Sequence, residues 1–283
     1  MIIVVIPVFN EEKNIEEVTK SVYPFCDKVV VVDDCSTDST LEILKSQKND
    51  NLIILENDRN LGIGGASKIG FKKAFSLGAK YIVKFDGDGQ HLAKDIPKFI
   101  EQLSKNGFDY VKGNRFMSSI SDMPFYKLIG NLISTNLQKI VTGNFSISDP
   151  NNGFLAFKTE IFEKIELKYL RNDYFFENSI LVNLNVFKFK ISEVPIETIY
   201  AGEKSSIPLF RGSLKLIPVF SKLLYLKNYL NMRANLSMGS VIFFIVNLLI
   251  ILKVIFTELI SSSLILILIV TYLFIEVINF FNE

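Results

Sequence analysis

Apolar and polar residues alternate in blocks from the first residue. Ile2–Ile6 is an unbroken β-branched run, the pattern of a strand buried on both faces of a parallel sheet. Pro7-Val8-Phe9-Asn10-Glu11 ends it, and Asn14–Tyr23 then carries apolar residues at helical spacing. Lys28–Val32 reads as a second buried strand, and Thr40–Ser46 as a helix that Ser39 or Asp38 could cap. Leu52–Leu55 predicts a third strand, a helix runs through Ala74, and Tyr81–Phe85 predicts a fourth strand. Strand and helix thus alternate four times, which predicts an α/β fold with a doubly wound parallel sheet. Ligands would bind such a sheet at the carboxyl ends of its strands. Further on, Ser134–Val141 reads as helix, Gly153–Phe157 as strand, and Val186–Val194 as a strand pair or one strand with its approach.

The unusual polar residues fall at those carboxyl ends. Lys84-Phe85-Asp86-Gly87-Asp88-Gly89-Gln90-His91 follows the fourth strand. If extended geometry persists past Phe85, Asp86, Asp88 and Gln90 point the same way and could converge on one hard cation, Mg²⁺ or Mn²⁺. Such an ion suits a diphosphate, whose departing charge it neutralises. A polar turn after a buried strand is the plain alternative. His91, the only histidine, follows three candidate ligands and reads as a loop residue without a catalytic role.

Composition narrows the class. The 283 residues suit one large α/β domain with an appendage, and 31 Lys+Arg against 30 Asp+Glu gives no global reason to expect nucleic acid binding. Two cysteines, Cys26 and Cys35, form no metal-binding spacing and no disulfide framework, as in a reducing compartment. The N-terminal apolar run is short, lacks a basic leader, and does not read as a signal peptide. Gly62-Ile63-Gly64-Gly65 misses the dinucleotide pattern G-x-G-x-x-G and contains no P-loop lysine. Those glycines could equally serve tight packing at a helix start. Nucleotide binding then rests on Asp34 and its neighbours.

Pro7-Val8-Phe9-Asn10-Glu11, Val32-Asp33-Asp34-Cys35-Ser36-Thr37-Asp38 and Asp86-Gly87-Asp88-Gly89-Gln90-His91 together resemble the signature of inverting GT-A glycosyltransferases of family 2. More narrowly they resemble the dolichyl- or polyprenyl-phosphate hexosyltransferases. Gly113-Asn114-Arg115-Phe116, Asp149-Pro150-Asn151-Asn152-Gly153-Phe154, Phe176-Glu177 and Glu193-Val194-Pro195-Ile196 add matches in family order over residues 1–210. The chain departs at Phe9, where tyrosine is usual, and at Tyr200–Ser206, where the family often has Gly-x-Ser-Lys.

The resemblance implies roles. Pro7, Glu11 and Asp34 would line the nucleotide pocket, Asp34 accepting hydrogen bonds from the base edge, with Asp86 beside them. Asp86, Asp88 and Gln90 would hold the metal on the diphosphate. Arg115 would meet phosphate, with Lys204 and Arg211 in reserve, since a planar fork of donors matches paired oxygens. Asp149 and Glu177 would sit near the acceptor. Glu177 lies among aromatics, where a general base could work, yet a phosphate monoester has a second pKa of about 6 and is already a nucleophile. Orienting the acceptor is then sufficient. The implied activity is inverting transfer of one hexose from a UDP-glucose or GDP-mannose type donor to polyprenyl or dolichyl phosphate. Alternatives are a lipid-linked oligosaccharide or glycolipid acceptor, a nucleotidyltransferase, and a non-catalytic nucleotide-sugar-binding scaffold. A processive synthase would carry Gln-x-x-Arg-Trp, and the chain has no Trp.

The hydrophobic content of 49% is concentrated at the C-terminus. Met238–Phe256 and Leu264–Phe281 would each span about 27 Å at 1.5 Å per residue, close to a hydrocarbon core. They predict a two-helix transmembrane hairpin at 237–283, behind a juxtamembrane segment at 211–236. In that segment Lys215, Lys222 and Arg233 could share one helix face, as in an interfacial helix on anionic headgroups; an ordinary packing helix is the alternative. The basic residues before the first span place the catalytic domain and both termini in the cytoplasm, on the bilayer's inner face. Two-span anchors can also associate, which leaves a homo-oligomer open.

Overall fold

A computed structural model describes residues 1–117, 135, 138–139, 142–144, 146–198 and 222–230. The chain divides into two compact units, Met1–Leu230 and Asn231–Glu283. The expected hairpin, the 199–221 stretch with Lys204, Arg211 and Lys215, and Arg233 lie outside the described residues. Among the described residues no helix is long and apolar enough to cross a membrane.

Seven strands form one sheet in the order β3-β2-β1-β4-β6-β5-β7. They are β1 (Ile2–Val8), β2 (Lys28–Asp33), β3 (Leu52–Glu56), β4 (Tyr81–Lys84), β5 (Tyr110–Asn114), β6 (Leu155–Lys158) and β7 (Ile191–Pro195). The first four are parallel, as the alternating pattern predicts. The fully parallel sheet needs correction, because β6 runs against both β4 and β5. Leu155 of β6 lies opposite Lys84 on one side and Lys112 on the other. The chain therefore enters β6 at the end where its neighbours finish. Segment 149–154 is delivered to the carboxyl edge of the sheet.

Helices α1 (Ile15–Val22), α2 (Thr40–Ser46), α3 (Ile63–Ser76) and α4 (Ile96–Ser104) connect the first strands, and α5 (Phe176–Val186) precedes β7. Val4, Ile6, Val29, Val31, Val83 and Phe85 face α1 and α4. The alternate residues Ile3, Val5, Val30, Val32 and Ile82 face Phe71 of α3 and Phe176 and Leu181 of α5. Both faces are dry, which is why these strands read as continuous apolar runs.

Three further readings change. Pro7 lies inside β1 instead of ending it; its missing N–H would face β4, whose pairing with β1 stops at Val5. Val186 ends a helix, so 186–194 holds one strand and not a pair. Nearly every residue of α5 is buried, so the helix carries no amphipathic period to betray it. Residues 222–230 form a helix, α6, whose Leu223 and Leu230 pack with Val182 and Val186 of α5. This part of the supposed interfacial segment is a packing helix, its apolar side covered by the catalytic domain.

Candidate functional site

The loops after β1 and β2 are stitched together by their own side chains. Asn10 N–H donates to Ser36 Oγ at 3.0 Å, Thr37 N–H to Asn10 Oδ1 at 2.8 Å, and Glu11 N–H to Thr40 Oγ1 at 2.8 Å. Asp38, not Ser39, caps α2, accepting from the Thr40 N–H and hydroxyl. Asn10 and Cys35 both hold left-handed backbone, φ 58° and 66°, at the ends of β1 and β2. Strain of this kind collects where function fixes a loop.

Asp34 is buried and already engaged. Oδ1 accepts from Asn57 Nδ2 at 2.7 Å and Leu61 N–H at 2.9 Å, and Oδ2 accepts from Gly62 N–H at 2.8 Å. The sequence reading gave these oxygens to a nucleotide base; here they tie β2 to the glycine-rich loop. The glycines serve packing. Cβ atoms at Gly62 and Gly64 would lie 2.7 and 2.5 Å from the carbonyls of Asn172 and Arg171. Gly64 and Gly65 N–H donate to the Asn172 carbonyl, so the start of α3 is capped from within the chain. Glu11 accepts from Asn14 Nδ2 at 3.0 Å, beside the end of β1.

The extended geometry invoked for Asp86, Asp88 and Gln90 stops at Lys84; Gly87 and Asp88 form a turn, and Asp88 Oδ1 accepts the Gln90 N–H at 3.0 Å. A Cβ on Gly87 would meet Val8 Cγ1 at 2.6 Å, so the turn packs directly on the Pro7-Val8 end of β1. Among the described residues no group of three or more His, Cys, Asp or Glu side chains is arranged to hold a metal ion. Asp86, Asp88 and the Gln90 amide still form a hard oxygen set on one turn, chemically suited to a divalent cation that completes its shell with diphosphate oxygens.

Behind the turn lies a buried ionic hub. Lys84 is fully buried, its Nζ 2.5 Å from Asp86 Oδ1, 3.2 Å from Glu177 Oε1 and 3.3 Å from the Gly153 carbonyl. Three donors thus meet three acceptors. Burial alone would lower the lysine's pKa, but the Asp86 and Glu177 carboxylates reverse this and hold it above the ordinary range. Burial would likewise raise Asp86, yet Lys84 and then His91 hold it well below the usual carboxylate range. His91 Nε2 is 3.5 Å from Asp86 Oδ2, and its ring packs against Phe85 and Phe154. His91 lies inward behind that carboxylate and pairs with Thr198 in an isolated antiparallel bridge.

The second buried lysine, Lys112 of β5, donates to the Asn152 carbonyl at 2.5 Å. Burial pushes its pKa down to about 8, partly offset by Glu177 and Asp149. Neither lysine was assigned a role from sequence. The available signal was a lysine on the core-facing register of an otherwise apolar strand.

Asp149 and Arg115 come together, with each other. Arg115 Nε donates to Asp149 Oδ2 at 2.7 Å and Nη2 to Oδ1 at 2.9 Å. The fork expected at phosphate holds this carboxylate through Nε and Nη2, and burial would raise the Asp149 pKa but Arg115 lowers it. Glu193 of β7 holds the same loop from beneath, accepting from the Ser148 and Asp149 N–H groups at 2.8 and 3.0 Å and from Asn114 Nδ2 at 3.0 Å. Pro7, Asp86, Asp88, Gln90, Asp149, Arg115 and Glu177 therefore belong to strand ends or the segments packed on them, while Asp34 serves the loop after β3.

Known proteins resemble this chain in sequence and in fold. Residues 3–166 match the model of the family described as glycosyl transferase family 2. A UDP-N-acetylglucosamine–dolichyl-phosphate N-acetylglucosaminyltransferase of Methanococcus voltae is 33% identical over 248 residues, 80% of this chain and 96% of that protein. A polyprenol monophosphomannose synthase of Mycolicibacterium smegmatis is 26% identical over 202 residues, 69% of this chain and 76% of the relative. In fold, glucosyl-3-phosphoglycerate synthase of Mycobacterium tuberculosis, solved with Mn²⁺, UDP and phosphoglyceric acid, superposes with a TM-score of 0.60. That structure is 18% identical, and the match covers 80% of this chain and 78% of the other. The chain belongs to glycosyl transferase family 2 and is an enzyme that transfers sugars, built on a GT-A mixed sheet.

Proposed function

We propose that this enzyme transfers a single sugar from a nucleoside-diphosphate sugar to a polyprenyl or dolichyl phosphate, with inversion at the anomeric carbon, on the cytoplasmic face of a membrane. One observation carries the reading: the Asp86-Gly87-Asp88 turn and Glu177 share the buried ammonium of Lys84. On this reading one donor-side and one acceptor-side carboxylate would be held at a single point. The sequence likeness to a dolichyl-phosphate sugar transferase, over 96% of that protein, supports the acceptor class.

Pro7, Glu11 and the Asp34-held loop would form the nucleotide pocket. Asp86, Asp88 and Gln90 would hold Mg²⁺ or Mn²⁺, which when bound neutralises charge on the departing diphosphate. Glu177, already paired with Lys84, orients the acceptor and need not deprotonate it, because a phosphate monoester with a second pKa of about 6 attacks unaided at neutral pH. Asp149 fixes Arg115 at the same edge, so the arginine presents its charge to the acceptor phosphate in one orientation. The apolar spans at 238–256 and 264–281 would confine enzyme and lipid acceptor to one surface and raise their effective concentration.

The test is transfer by membranes holding the full chain, given polyprenyl phosphate and radiolabelled nucleotide sugars one at a time, starting with UDP-N-acetylglucosamine, UDP-glucose and GDP-mannose. Label in a lipid that appears only when polyprenyl phosphate is added supports the reading. Label confined to preformed lipid-linked oligosaccharide would refute it.

A further inference from the structure

Segment 149–154 enters β6 between two buried lysines. Lys84 of β4 and Lys112 of β5 stand on either side of Leu155, the first residue of β6. Their ammonium groups donate to successive carbonyls just upstream, Lys112 to Asn152 at 2.5 Å and Lys84 to Gly153 at 3.3 Å. This segment carries Asp149, which grips Arg115, and Gly153, whose Cα lies so close to Asp86 that an added Cβ would sit 1.8 Å from Oδ2.

We propose that Lys112 and Lys84 form a clamp of positioning residues that sets segment 149–153, and through it the Asp149–Arg115 pair and the Asp86 carboxylate. An apolar side chain would bury more comfortably at position 112, beside Tyr110 and beneath α5. A buried ammonium there has a use only if its charge and donors hold something, and the Asn152 carbonyl is what it holds. The charged groups that act on Lys112 are Glu177 from α5, Asp149 at the segment's start, Lys84 from β4, and Arg115 just past β5. Burial, which lowers the Lys112 pKa to about 8, makes this end of the clamp the one that loses charge on the alkaline side. The clamp's effect on turnover rests on the sugar-transfer reading above; its effect on the segment does not.

The experiment uses the full chain in membranes or detergent, as wild type, Lys112→Met and Lys112→Arg. Hydrogen exchange should run at least tenfold faster in peptides covering 148–154 of Lys112→Met, with β1 and β2 peptides unchanged. UDP, used as the binding probe, should bind all three proteins within twofold. Transfer should show a wild-type kcat that falls above about pH 8, a kcat for Lys112→Met at least tenfold lower at pH 7, and KM for the donor within twofold. Lys112→Arg, charged throughout, should recover part of the rate and lack the alkaline fall. Unchanged exchange at 148–154, or wild-type kcat in Lys112→Met at pH 7, overturns the clamp. Should Lys112→Met not fold, Lys112→Leu takes its place with the same readouts, and unchanged exchange at 148–154 overturns the clamp. If no donor labels polyprenyl phosphate, the functional reading fails and the exchange result still decides the clamp.

Discussion

Three hydrogen bonds join Arg115 to Asp149: Nε donates to Oδ2, Nη2 to Oδ1, and the Arg115 backbone N–H to Oδ2 at 3.2 Å. Asp149 is 2% exposed, so this guanidinium is what allows a carboxylate to stay ionised there. Arg115→Ala should therefore cost about 3–5 kcal/mol of stability, the penalty for leaving a buried charge without its partner. Arg115→Lys should recover only part, because a point charge cannot reproduce the fork. Denaturant unfolding at pH 7 measures both. Asp149 adds a sign: its folded pKa lies below the unfolded value of about 3.9, so the pair's contribution is complete above that pH and fades as pH falls through the folded value. The stability gap between wild type and Asp149→Asn should narrow on acidification.

Gly153 tests how closely segment 149–154 approaches the candidate metal turn. Its missing side chain is the space Asp86 occupies, with Oδ2 at 1.8 Å and Cγ at 2.7 Å from a built Cβ. Gly153→Ala should displace Asp86 and weaken Mn²⁺ binding at least tenfold, read by electron paramagnetic resonance of free Mn²⁺ in the presence of UDP. Equal Mn²⁺ affinity in a folded variant would remove Asp86 from the ligand set.

Cys35 holds φ 66° at the end of β2. A left-handed non-glycine residue costs roughly 1–2 kcal/mol, and glycine in its place costs about 0.5–1 kcal/mol of extra chain entropy. Cys35→Gly should thus stabilise the fold by about 0.5–1 kcal/mol, seen as a higher denaturant midpoint at unchanged slope. Lower stability would mean that the Cys35 side chain contributes packing beyond its 4.0 Å contact with the Asp58 carbonyl.

Between about pH 8 and 10.4, the Lys112 contribution to stability and the transfer rate should move in opposite directions. Lys112, at about 8 when folded and about 10.4 when unfolded, binds fewer protons in the folded state between those values, so its contribution to stability rises with pH across that window. Lys84, held above the ordinary lysine range, begins to lose its contribution only above about pH 10.4. Denaturant midpoints at pH 8 and pH 9.5 should show no loss attributable to Lys112, so that any fall in transfer over that interval is local. A parallel fall in both would point to general unfolding.

Four strands and three helices of the first half were legible because each buried strand is a β-branched run and each connecting helix keeps an apolar stripe. α4 keeps an apolar stripe of Ile96, Phe99 and Leu103, yet it and β5 are missed by the sequence reading; beyond β5 the code changes. α5 is buried nearly all round, so its polar residues Asn178, Ser179 and Asn183 broke the apolar pattern without marking a surface. The reversal at β6 depends on which strands Leu155–Lys158 joins, a long-range pairing that no local periodicity records. Site residues were visible as types at strand ends, but their partners were not. The partner of Arg115, Asp149, is 34 positions away, and those of Asp34, Leu61 and Gly62, are 27 and 28 positions away, so no local pattern announces them.

The most direct test of the central claim is the structure of the lipid product. Purified material from the full chain, a working nucleotide sugar and polyprenyl phosphate should carry one sugar bonded through its anomeric carbon to the lipid phosphate. Phosphorus–carbon and phosphorus–proton couplings in its nuclear magnetic resonance spectrum should report an anomeric configuration opposite to the donor's. A sugar attached to another sugar, or an anomer retained from the donor, would contradict direct inverting transfer to polyprenyl phosphate.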